Sequence, residues 1–151
     1  MPVEVSAMSD PYDLERFVKA QAGVYEQVCA ELRAGRKRSH WMWFIFPQIQ
    51  GLGSSPMAVR YGLSSLEEAR AYLGHRVLGA RLRECTTIVL GVSGRTVGEI
   101  FGAPDDLKFH SSMTLFAQVD EGGGLFTEVL ERYFDGKLDR GTLARVRTGV
   151  E

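Results

Sequence analysis

Apolar residues recur at three- and four-residue steps along most of the chain, and that spacing predicts helices rather than strands. Leu14, Phe17, Val18, Val24, Tyr25, Val28 and Leu32 form one such stripe behind an Asp10-Pro11 start. There the Asp suits the N-cap and the Pro the first turn. Gln21 is the polar exception on this stripe. Gly35 is the expected stop, and Arg33, Arg36, Lys37 and Arg38 gather where cations suit the negative end of the helix dipole.

Further along, Ser55-Pro56 predicts another helix start, and Ser65 with Glu68 a capping box. Leu78, Leu82, Cys85, Ile88 and Val89 share the inner side of a longer helix, and Thr96 with Glu99 caps a short one that Gly102 closes. Pro104 opens a helix carrying Leu107 to Val119, which Gly122-Gly123-Gly124 breaks. Phe126, Val129, Leu130 and Tyr133 or Phe134 mark another, stopped by Gly136, and Asp139 or Thr142 caps a short last helix. No repeat and no interdomain linker interrupts this series. The expected fold is all-α, a single compact domain of roughly seven or eight short helices over residues 10–146. Residues 1–9 and 147–151 are expected to be loose termini.

One element breaks the amphipathic rule. Trp41 to Phe46 is apolar on every side, so it is buried whichever secondary structure it takes. Helix is the expectation, because only Ile45 is β-branched and no other segment offers a partner strand. His40 and Gln48 are its polar ends.

The 151 residues are 44% hydrophobic and 25% charged, ordinary values for a globular protein able to bury a core. A formal net charge of -1 argues against general nucleic-acid binding, which needs a basic excess to neutralise phosphates. The longest apolar run is far shorter than the roughly 20 residues of a membrane helix. No basic residue precedes an apolar stretch at the N-terminus, so a cytoplasmic location without membrane attachment is expected. Cys29 and Cys85 lack Cys-x-x-Cys spacing and read as free thiols on apolar helix faces, as in a reduced compartment. His40, His75 and His110 are too dispersed for a metal, so neither a metal site nor a cofactor is expected.

Three features carry candidate chemistry. Aromatic stripes pack more often than they bind, so the block is read first as core, with an edge at Trp41 or Trp43 able to face a flat ring. Phe109, Met113 and Phe116 share one helix side, which is read as core, and Lys108, Ser111 and Ser112 share another. Small hydroxyl residues so dense on a helix point to close approach, by another helix or by a ligand that needs hydroxyls and a cation. Gly51-Leu52-Gly53-Ser54-Ser55-Pro56 runs into a helix start, but Pro56 stands where a dinucleotide fingerprint needs its third glycine.

Taken together, Phe17-Val18-Lys19-Ala20-Gln21 with Tyr25, Lys37 to Gln48, Gly51 to Ser55, Tyr61, Glu68-Ala69 with Tyr72-Leu73, Leu78 to Leu82, Ser111 to Phe116 and Phe134-Asp135-Gly136 resemble the bacterial domain-of-unknown-function family 1810. Its members are sometimes labelled calpastatin-like, a label with no physical support in these residues. The resemblance spans about Tyr12 to Val146 and implies a mainly helical single domain with no established activity. A looser similarity, in helical architecture and an aromatic-plus-polar pocket, is to the NAD- and ADP-ribose-linked YbiA-like proteins. Their acidic signature does not align with this chain, so none of their residues is carried over.

The functional expectation is a pocket for a small anionic or nucleotide ligand of the ADP-ribose kind. Trp41 or Trp43 would stack on the ring, with Gln48 at the polar end of the block. Lys108, Ser111 and Ser112 would hold phosphate or ribose oxygens, with Arg81 a further cation. His40 would be the acid or base if the site hydrolyses a glycosidic bond. The rival expectation is a non-enzymatic protein-interaction module. Oligomeric state is not legible.

Overall fold

The helix that organises the molecule is the one the sequence marks as hydroxyl-rich. In this computed structural model, which describes residues 9–150 and the side chains of 9–147, Asp105–Ala117 is buried continuously from Ser111 to Phe116. Six consecutive buried residues cover every side of a helix, so this part of it is surrounded, and other helices pack on it from several sides.

In chain order the helices are α1 (Glu15–Gln21), α2 (Tyr25–Arg33), α3 (Met42–Ile45), α4 (Pro56–Tyr61), α5 (Leu66–Gly74), α6 (Leu78–Leu90), α7 (Val97–Phe101), α8 (Asp105–Ala117), α9 (Leu125–Phe134) and α10 (Arg140–Val150). Helix α8 packs against α9, α10, α5, α7 and α3, while α6 packs against α5, α2 and α9. No strand occurs among the described residues; an isolated parallel bridge joins Ile49 to Leu63. The all-α expectation is met.

The helix number is corrected to ten among the described residues, against the expected seven or eight. One physical reason lies in the first stripe. Ala22 is extended and Gly23 has φ +83, a left-handed conformation that glycine takes without steric cost, so the stripe is two helices. Asp10 still acts as a cap, its carboxylate accepting from the backbone N–H groups of Leu14 and Glu15 at 2.8 and 3.0 Å. The expected end of the domain at residue 146 falls inside α10, which runs to Val150. Of the expected loose segments, residues 1–8 and 151 lie outside the described residues.

Capping follows the sequence closely. Ser55 accepts from Ala58 N, with Pro56 in the first turn, and Thr96 and Glu99 form a reciprocal capping box. Ser65 also caps its helix, but the Glu68 carboxylate reaches past it to Ser64, accepting from both its backbone N–H and its hydroxyl. The other oxygen of Glu68 pairs with Arg16 at 3.1 Å, which ties α5 to α1.

The aromatic block is a short helix, α3, with Trp41 at its start. Trp41, Met42, Phe44, Ile45 and Phe46 are buried; Trp43 is half-buried. Phe46 meets Phe101 and Phe109 edge-on, the geometry favoured by ring quadrupoles, and Phe101 stacks on Phe109. The block therefore joins α3, α7 and α8 into one core.

Candidate functional site

Two carboxylates hold the loop that leads into the block. Glu31, 8% exposed, accepts from Arg38 N, Ser39 N and the Trp41 indole through one oxygen, and from Ser39 Oγ and Gln27 Nε2 through the other. Burial alone would raise its pKa, but the bonds from Ser39, Arg38 N and Gln27 outweigh that and bring it down to about 2. Asp105, at the start of α8, pairs with Lys37 at 2.7 Å and with Lys108 at 3.4 Å. Each of these lysines lies over one tryptophan, Lys37 on Trp41 at 5.0 Å and Lys108 on Trp43 at 4.9 Å.

The two tryptophans thus have different environments. Trp41 is 2% exposed and its indole N–H is spent on Glu31. Trp43 keeps a partly open ring and lines a crevice with Gln48, Ile49, Gly53, Ala58, Tyr61 and Gly62.

Gln48 and Gly53 continue into an adjoining groove of about 280 Å³, whose walls include Leu52, Leu107, Lys108, Ser111 and Asp139. Of the residues expected from sequence, Gln48, Lys108 and Ser111 meet here, with Trp43 at the shoulder. Helix α8 supplies Lys108 and Ser111 one turn apart, and the chain after α3 supplies Gln48. The single hydroxyl proton of Ser111 is shared between Asp139 Oδ2 at 2.9 Å and Leu107 O at 3.2 Å. The same Asp139 oxygen accepts from the Thr142 N–H and hydroxyl, so Asp139 caps α10 while facing the groove.

The other expected residues lie elsewhere. Ser112 is fully buried and its hydroxyl has no hydrogen-bond partner among the described residues. His40 is exposed and is not among the residues lining the groove. Trp41 is in the core.

Arg81 belongs to a different cavity, of about 430 Å³, lined by Gln21, Ala22, Gly23, Tyr25, Glu26 and Arg81 itself. Its guanidinium stacks on Tyr25 at 4.7 Å and donates to Gln21 Oε1 at 3.1 Å. Gln21, 1% exposed, spends its amide nitrogen on Phe44 O at 2.7 Å and Tyr72 Oη at 3.2 Å. That explains the polar exception on the first stripe. Tyr25 donates to Glu84, and burial followed by this bond pushes its phenol well above the ordinary value. The free thiol of Cys85 beneath is pushed up to about 12, by burial first and then by its neighbour Cys29. Among the described residues, no group of three or more His, Cys, Asp or Glu is placed to hold a metal ion, and no helix is long and apolar enough to cross a membrane.

Asp139 and Leu107 are groove residues that sequence reasoning did not assign to a site, while Leu52 and Gly53 come from the glycine loop that it marked. Asp139 was visible as a cap; its second role depends on α10 packing against α8.

Among solved structures, the fold is similar to that of the conserved hypothetical protein Rv1873 from Mycobacterium tuberculosis. The match has a TM-score of 0.90 at 62% sequence identity and covers 91% of this chain and 99% of that one. No curated protein matches the sequence. The family described as "Protein of unknown function (DUF1810)" matches residues 11–146, nearly the whole described chain, and the protein belongs to that family.

Proposed function

We propose that the groove beside Trp43 binds a small anionic ligand of nucleotide type. The observation that carries this reading is the meeting of Gln48, Lys108 and Ser111 in one groove next to a half-open indole. Lys108 would take phosphate, exchanging its long 3.4 Å contact with Asp105 for a charge-assisted bond. The Asp139 carboxylate suits ribose hydroxyls as an acceptor, and Gln48 offers both a donor and an acceptor. The free edge of Trp43 suits a base. Binding rather than glycosidic hydrolysis is the reading, because His40 stands outside the groove lining.

Isothermal titration with AMP, ADP-ribose and NAD tests it. Saturable heat is expected with at least one of them, and Lys108→Ala should weaken that binding tenfold or more. No heat and no thermal shift with any of the three up to millimolar concentration overturns it.

A second reading, a protein-interaction groove, is favoured by Leu107, which is 65% exposed on the same wall. Under that reading Leu107→Asp abolishes capture of a defined partner, and the three nucleotides give no heat.

A further inference from the structure

The cavity at the break between α1 and α2 has features the groove lacks. The half-buried cations Arg16, Lys37 and Lys108 each pair with a carboxylate. Arg81 is also half-buried, yet among the described residues it pairs with none. Its guanidinium makes one hydrogen bond, to Gln21 Oε1, and one stacking contact, to Tyr25. A guanidinium carries five N–H donors, so most of them remain unspent.

Its orientation is nonetheless fixed. Gln21 is itself anchored on Phe44 O and Tyr72 Oη inside the core, and the Tyr25 ring supports one face of the guanidinium. Leaving a positioned cation unpaired in a recess costs solvation, whereas a planar fork held in advance suits a bidentate oxyanion. The volume of about 430 Å³ is within the range of small-ligand sites. Gly23 adds room, since a Cβ there would meet nothing within 4 Å. The two nearby carboxylates do not fill the role. Glu26 is exposed at the rim, and Glu84 is engaged by the Tyr25 hydroxyl.

We propose that this cavity is a second ligand site, separate from the groove, in which Arg81 grips a small oxyanion, a carboxylate or a phosphate. Gln21 and Tyr25 are its positioning residues.

The test follows the side-chain Nε–H signal of Arg81 in ¹H–¹⁵N spectra of the full chain, titrated separately with inorganic phosphate and with succinate. A saturable shift of the Arg81 signal is expected with at least one, and which one saturates identifies the anion class. Arg81→Lys keeps the charge and removes the fork; followed through the side-chain amide signal of Gln21, which both proteins retain, it should weaken binding tenfold or more. Lys108→Ala should leave it unchanged, which keeps this site distinguishable from the groove. A shift that stays linear with both anions overturns the proposal, as does binding lost in Lys108→Ala but kept in Arg81→Lys. If Arg81→Lys fails to fold, the titration of the unaltered protein decides.

Discussion

The ammonium of Lys108 lies 4.9 Å from the centroid of the Trp43 ring, joining the hydroxyl face of α8 to the open end of the aromatic block. The side chain of Lys108 is 26% exposed and its ion pair with Asp105 is long. Cation–π and partly exposed ion-pair contacts of this kind each contribute about 1 kcal/mol or less. Lys108→Ala should therefore lower stability by only about 1 kcal/mol in urea unfolding. A loss of ligand binding in this variant can then be read as loss of contact, not of fold.

Glu31 makes stability depend on acid. Its carboxyl titrates at about 2 in the folded chain, against an ordinary value of 4.5. A folded pKa below the unfolded one gives stability that is complete above the unfolded value and is lost as pH falls through the folded one. The window is thus from about 4.5 down to about 2, and the contribution is of the order of 3 kcal/mol. Urea midpoints measured across this range should fall with decreasing pH. In Glu31→Gln that limb should flatten, with lower stability at neutral pH because a neutral amide cannot accept all five bonds.

Adjacent serines on α8 should respond in opposite directions. The Ser112 hydroxyl is buried without a partner, so Ser112→Ala removes an unsatisfied group and should be neutral or stabilising by up to about 1 kcal/mol. Ser111→Ala removes a donor from Asp139 and should cost about 1 kcal/mol. Thermal unfolding of the two variants side by side checks the difference.

Gly79 lies where α6 meets the end of α5. A Cβ there would sit 2.0 Å from the backbone oxygen of Leu73, a contact no rotamer can relieve. Gly79→Ala should cost about 3 kcal/mol or more, read as a large drop in the urea midpoint. Gly74→Ala is the control, since a Cβ at Gly74 would meet nothing within 4 Å.

What could be read from sequence was local. The caps at Ser55, Ser65 and Thr96 and the burial of the aromatic block follow from residues within a few positions of each other. The break at Gly23 was less legible, because the apolar spacing continues across it while the backbone does not. Gln21 stood out as polar, but its partners Phe44, Tyr72 and Arg81 are 23 to 60 positions away. The same limit applied to the two tryptophans. Only tertiary contacts separate Trp41, bonded to Glu31, from Trp43, beside the groove. Ser111 and Ser112 likewise differ by about 100° around α8, enough to give one Asp139 and the other no partner.

The central claim, that the groove beside Trp43 receives a ligand, can be read from two signals. The chain has two tryptophans, hence two indole N–H peaks in a ¹H–¹⁵N spectrum. The peak of Trp41 is marked by its bond to Glu31 and serves as the internal reference. In separate titrations with AMP, ADP-ribose and NAD, the Trp43 peak should move saturably with at least one ligand while the Trp41 peak stays in place. A Trp43 peak that does not move with any of them up to millimolar concentration would contradict the account.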